Sequence, residues 1–159
     1  MYKVPCTAYG WGVHSKSGRP ATHLQVLNVT AGHGEEACPC SKRYQEKRLV
    51  CLKPVKGQGI CVGDSGSALV CGGEGVGVAH MIIDRRGCSF TKVPDLKCGA
   101  RDTIGVYMFL CPYLDWISGY VRGVPGTPQS CRGSRTDRPS DHVLLFLYCL
   151  LLFANIYIY

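Results

Sequence analysis

Short apolar runs separated by glycine-rich or polar stretches dominate the first two thirds of the chain, the pattern of an all-β domain with tight turns. Residues 6–12 read as a strand entering a turn, and Gly18-Arg19-Pro20 is a loop signal. Between His23 and Thr30 the apolar positions Leu24, Val26, Leu27 and Val29 predict a half-buried strand. Leu69-Val70-Cys71 and Val76 to Ile83 predict adjacent strands joined across Gly72-Gly73-Glu74-Gly75. Arg85 to Lys97 is polar and reads as a surface loop, and Ile104 to Phe109 as a further strand. From Pro112 the period changes. Tyr113, Trp116, Ile117, Tyr120 and Val121 fall on one face of a helix, with Pro112 suited to its first turn, and this aromatic stripe is expected to pack into the core. Residues 125–142 are rich in Pro, Gly, Ser and Arg and read as a linker. Val143 to Tyr159 carries no charged residue, and its length sits near the lower limit of about 17 residues for a spanning helix. It also fits a lipid-anchor signal, with a small pair at Gly133-Ser134, a polar spacer from Arg135 to His142 and an apolar tail. The expected organisation is a β domain over 1–124, a linker over 125–142 and a membrane or lipid-anchor tail helix over 143–159.

Composition sharpens this. There are 11 cysteines among 159 residues, a density that indicates an oxidising compartment and a disulfide framework, with the odd number leaving at least one thiol over. The net charge of +7 is spread over separate pairs such as Lys42-Arg43 and Arg85-Arg86, with no basic stripe carrying interleaved aromatics, so nucleic acid is excluded as a partner. Cys38-Pro39-Cys40 is too tightly spaced for a zinc site, and no second clustered pair follows it; no metal or cofactor is expected. Met1 to Cys6 lacks an apolar run of signal-peptide length, which agrees with the cysteine content if the chain is the end of a longer secreted precursor. Asn28-Val29-Thr30 is an N-glycosylation sequon.

The candidate chemistry lies in Cys61-Val62-Gly63-Asp64-Ser65-Gly66-Ser67-Ala68-Leu69-Val70-Cys71. A serine hydroxyl is a weak nucleophile without a base, but a Gly-flanked turn exposes it and leaves backbone N–H groups free to hold a developing oxyanion. The segment resembles the nucleophile motif of the chymotrypsin-like serine peptidases, Gly-Asp-Ser-Gly-Gly-Pro between two cysteines. The resemblance continues in order along the chain. Cys6-Thr7-Ala8-Tyr9-Gly10-Trp11-Gly12 is similar to the family's Cys…Gly-Trp-Gly strand, Ile104-Gly105-Val106-Tyr107 to its Pro-Gly-Val-Tyr, and Tyr113-Leu114-Asp115-Trp116-Ile117 to its closing helix. These matches span residues 6–122 and correspond to the C-terminal antiparallel β-barrel of such an enzyme, ending in a short helix.

The resemblance implies Ser65 as nucleophile and the N–H groups of Gly63 and Ser65 as oxyanion hole. The family's catalytic histidine and aspartate come from an N-terminal barrel, and no Ala-Ala-His-Cys context occurs in this chain. His80 falls near the substrate-binding strand, though a lone strand histidine is more often structural. The resemblance also implies a pocket. Gly59 would form its floor, with no carboxylate to select Lys or Arg. His80-Met81-Ile82 replaces the family's Ser-Trp-Gly, so Ile82 would narrow the mouth, while Gly105 is retained on the other wall. Implied disulfides are Cys6–Cys71, Cys61–Cys98 (with Cys88 as rival), and Cys51 with Cys38 or Cys40. Asp64 would lack the new N-terminal amine that pairs with it in the family, leaving a carboxylate without a partner. The implied function is serine endopeptidase, with a polypeptide substrate, the N-terminal barrel and a membrane as partners and the cell exterior or surface as location. The alternative is a non-catalytic homologue acting as a binding module, which Ser67 and the altered 80–82 strand favour.

Overall fold

In a computed structural model of the chain, residues 3–13, 18–39, 48–86, 97–128 and 131 are described. Six strands form: β1 (Val4–Gly10), β2 (Gln25–His33), β3 (Leu49–Leu52), β4 (Ala68–Cys71), β5 (Glu74–Asp84) and β6 (Thr103–Phe109). A 3₁₀ turn over Cys111–Tyr113 leads into a short helix, α1 (Leu114–Ser118). The strands close an antiparallel barrel in the order β1-β2-β3-β6-β5-β4, with β4 paired back to β1, so the sheet has no free edge. The tail helix expected over 143–159 lies outside the described residues; among those described, no helix is long and apolar enough to cross a membrane.

Alternation along the strands builds two apolar layers. Inside the barrel, Cys6 and Ala8 of β1, Val50 and Leu52 of β3, Leu69 of β4 and Ala79 of β5 surround Tyr107 of β6. The small side chains Ala8, Ala31 and Ala79 leave room for that ring, which is fully buried. On the outer face of β3 and β6, the intervening residues Cys51, Ile104 and Val106 pack with Cys38 in a second cluster. β6 is therefore covered on both sides and buried continuously from Thr103 to Tyr107.

The β4–β5 hairpin turns on Gly72 and Gly73 alone, at φ 60° and 84°, with Cys71 opposite Glu74; left-handed φ at both positions is what a two-residue turn of this hand demands. Disulfides Cys6–Cys71, Cys38–Cys51 and Cys61–Cys98 tie β1 to β4, β3 to the segment before it, and the turn before Ser65 to the approach to β6. Of the candidate partners of Cys51, Cys38 makes the bond; Cys40 and Cys88 lie outside the described residues. The chain-entropy account of a closed loop on the Cys6–Cys71 scale gives about 4 kcal/mol.

Two expectations need correction. β2 begins at Gln25 and runs on to His33, because Ala31, Gly32 and His33 pair with Leu52, Cys51 and Val50 of β3; Leu24 and Val26 face outward, 42% and 59% exposed. The aromatic stripe is not core. α1 stops at Ser118, and Trp116 and Tyr120 are 66% and 77% exposed, because nothing among the described residues covers that face. The two rings contact each other in a tilted arrangement, with centroids 5.2 Å apart and planes at 56°.

Candidate active site

The Ser65 turn hangs between three parts of the barrel. On the β5 side, the Gly66 N–H donates to the Ala79 carbonyl at 2.9 Å and the Ala79 N–H to the Ser67 carbonyl at 2.8 Å, carrying the β4–β5 ladder into the turn. Toward the end of β1, the Val13 N–H donates to the Val62 carbonyl at 2.8 Å. Beneath the turn lies Asp64. Its Oδ1 accepts from the Gly12 N–H at 2.7 Å and its Oδ2 from the Cys61 N–H at 2.8 Å. The expectation of a partnerless carboxylate is therefore wrong for this chain: backbone donors from two segments hold it, and hydrogen bonds to a charged acceptor are the stronger kind. The Gly-Trp-Gly spacing has its reason here. A Cβ on either Gly10 or Gly12 would run into the Asp64 carboxylate. Gly63, at φ 92°, stands with its own Cβ position 3.1 Å from the Gly12 Cα, so both its conformation and its surroundings require glycine.

Within the turn, three N–H groups are left over among the described residues, and that of Val62 belongs to a residue 75% exposed. Cys61 donates to Asp64, Asp64 to the Cys61 carbonyl, Gly66 to Ala79 and Ser67 to the Asp64 carbonyl. The N–H groups of Gly63 and Ser65 find no acceptor among the described residues, and both residues are exposed. The Ser65 hydroxyl likewise has no hydrogen-bond partner among them. Ser67 Oγ–H donates to the Asp64 carbonyl at 2.6 Å, a contact that the motif comparison did not foresee although hydroxyl bonding three residues back is a known local habit of serine.

The pocket residues sit in different settings. Gly59, at φ 149°, and Gly105 line a cavity of about 530 Å³ that also borders Leu52, Gln58 and Thr103. Ile82 stands opposite Gly105 across the β5–β6 ladder. A Cβ at Gly105 would press on Ile60 and Leu52, at 3.1 and 3.3 Å. His80 is the extra residue of a bulge between Ala79 and Met81; it and Met81 are exposed and border neither that cavity nor the smaller one beside Asp64. His23 contacts Thr22, at 3.0 Å, and His14 and His142 lie outside the described residues. No cluster of metal-ligating side chains occurs among the described residues. Asn28 is exposed on β2, opposite Thr7.

Electrostatics distinguish two further groups. Asp84 at the end of β5 is held well below the ordinary carboxylate value, at about 2, first by the Arg86 side-chain hydrogen bond and then by the Arg86 backbone N–H. Arg86 and Arg85 also reach Asp102, at 3.4 and 3.0 Å, so these charges brace the base of the β5–β6 connection. The Tyr107 phenol is raised by burial first and by the nearby Asp64 charge second; its hydroxyl has no partner among the described residues. A bond the motifs did not suggest, Cys111–Cys131, ties the Pro/Gly-rich segment to the start of the 3₁₀ turn that leads into α1, and Thr127 is buried.

Comparison with known proteins places these features. A family model described as Trypsin matches residues 2–117. The chain is 33% identical to a trypsin of Pleuronectes platessa over 77% of its length and 45% of that protein's. It is 34% identical to human kallikrein-12 over 74% of its length and 43% of that protein's, and 32% identical to mouse neutrophil elastase over 76% and 38%. The chain thus spans less than half the length of these curated relatives. A closed β-barrel bearing Gly63-Asp64-Ser65-Gly66 at a β5-anchored turn, together with this match over most of its length, makes the chain a member of the trypsin family of serine endopeptidases.

Proposed function

We propose that the chain is the nucleophile-bearing half of a secreted or membrane-anchored serine endopeptidase. Ser65 Oγ attacks the scissile carbonyl carbon, its proton passing to a histidine base supplied, with its orienting aspartate, by an N-terminal barrel outside these residues. The N–H groups of Gly63 and Ser65 take up the negative charge on the carbonyl oxygen; the C–N bond then breaks, the amine leaves with the proton, and water hydrolyses the acyl-enzyme. The observation that carries this reading is an exposed serine whose own N–H and that of Gly63 have no acceptor among the described residues, in a turn held on both sides by the bonds of Asp64, Gly66 and Ser67. Gly59 offers no charge and Ile82 faces Gly105, which favours small or aliphatic side chains before the cut. Residues 1–124 act as the barrel unit and 125–142 as linker, with Val143 to Tyr159 as membrane or lipid anchor and Asn28 as a glycan acceptor on the cell exterior.

The test uses a fluorophosphonate on the product of the longest reading frame that contains this sequence. Labelling at Ser65, lost in Ser65→Ala, is the expected result, with the 159-residue chain alone left unlabelled. A folded long product that takes no label refutes the peptidase reading and leaves the binding-module alternative, which the bulged, exposed His80 and Met81 favour. Stoichiometric labelling of the short chain would mean that the base lies within it, and His80 would be examined first.

A further inference from the structure

We infer that Ser67 is a positioning residue that orients and polarises the Ser65 N–H, an inference that rests on reading that N–H as an oxyanion donor. The motif Gly63-Asp64-Ser65-Gly66 is followed by serine where the resembling motif has a second glycine. That substitution adds one hydroxyl, and the hydroxyl is used. Ser67 Oγ–H donates to the Asp64 carbonyl at 2.6 Å, and the Ser67 N–H donates to the same oxygen at 3.0 Å, filling both of its lone pairs. Gly66, at φ 88°, lets the chain reverse so that Ser67 reaches back over Ser65.

The carbonyl of Asp64 and the N–H of Ser65 belong to one planar peptide unit, so anchoring the oxygen fixes the direction of the N–H. The same residue is held at its other end by Gly12 and Cys61, whose N–H groups grip the two carboxylate oxygens at 2.7 and 2.8 Å, while its own N–H is bonded to Cys61 at 3.1 Å. The peptide therefore cannot rotate without breaking several bonds. Drawing electron density onto the carbonyl oxygen also makes the attached N–H more positive, since linked hydrogen bonds strengthen one another. The Ser67 hydroxyl thus acts through the Asp64–Ser65 peptide on a group it does not touch. If it supplies about 10–30% of that donor's strength, its loss weakens oxyanion stabilisation about two- to eightfold.

The test is nuclear magnetic resonance on the ¹⁵N-labelled 159-residue chain, read at the Ser65 amide. Ser67→Ala and Ser67→Gly are expected to move its ¹H and ¹⁵N resonances upfield, and Ser67→Thr, which keeps the hydroxyl, to restore them. The glycine variant adds no side chain, so it reports even where alanine disturbs the turn. Ser65 resonances that stay in place in a folded alanine or glycine variant overturn the inference, as does a threonine variant that matches alanine. In the long product, Ser67→Ala is expected to slow fluorophosphonate labelling of Ser65 two- to eightfold, with threonine recovering the rate. Complete absence of labelling alongside the expected resonance shifts overturns the peptidase reading and leaves the Ser67 coupling standing.

Discussion

Gly12→Ala is the substitution whose consequence follows most directly from the packing under Ser65. The added Cβ would lie 2.5 Å from both Cγ and Oδ1 of Asp64 and 2.6 Å from Oδ2. Real carbon contacts do not come so close, so the carboxylate or the strand end must move. If the carboxylate leaves, it gives up the Gly12 and Cys61 N–H bonds, at 2.7 and 2.8 Å. Each bond to a charged acceptor contributes about 1.5–3 kcal/mol, so losing both costs roughly 3–6 kcal/mol. Asp64 is only half-buried, and water recovering part of this brings the expected loss to about 2–4 kcal/mol. That is a large fraction of the ~5–15 kcal/mol available to a folded domain. Urea unfolding followed by far-ultraviolet circular dichroism measures it; with a slope of about 2 kcal/mol per molar, the midpoint falls by about 1–2 M. The decisive control is the same substitution in an Asp64→Ala background. With the carboxylate gone, the alanine at position 12 has nothing to displace, and its penalty should shrink to about 0.5 kcal/mol or less. An undiminished penalty in that background would refute the reasoning, because the cost would then come from the backbone of Gly12 and not from Asp64.

Three other outcomes are expected. Asp84 should titrate at about 2 in the folded chain, so the stability it contributes is fully present above the ordinary carboxylate pKa and is lost as pH falls from there through about 2; carboxyl resonance titration checks this, and Arg86→Gln should raise the midpoint part of the way, since the residue 86 backbone N–H still donates to Asp84. Tyr107→Phe should be neutral or stabilising by about 1 kcal/mol, since it removes a buried hydroxyl that has no partner among the described residues; a clear fall in the urea midpoint would reveal a hydrogen bond there. Deleting Val143 to Tyr159 should release the protein from membranes without lowering the urea midpoint, because the cut leaves Cys111–Cys131 in place; a truncated protein that still sediments with membranes would locate the anchor elsewhere.

Features governed by neighbours in sequence were legible without coordinates. Gly72-Gly73 between two apolar runs specifies its hairpin because the turn's dihedral demands are met within two residues. The serine turn was readable for the same reason, and the Ser67–Asp64 bond, three residues long, was within reach of the same local logic. Tertiary structure decided the rest. Helical spacing assigned Trp116, Tyr120 and Val121 to one apolar face, but periodicity carries no information about what covers a face, and these residues are exposed. The second half of β2 has no alternating pattern of its own; Ala31 to His33 are strand because the adjacent strand β3 offers them partners. Asp64 receives a donor from Gly12, 52 residues away, so its satisfaction depends on β1 closing against the turn, and Cys111 finds Cys131 only because the chain folds back after α1. Dihedral preference and hydrogen bonding within a turn are short-range and written locally. Burial, and the satisfaction of a charge by distant amides, arise only when the barrel closes.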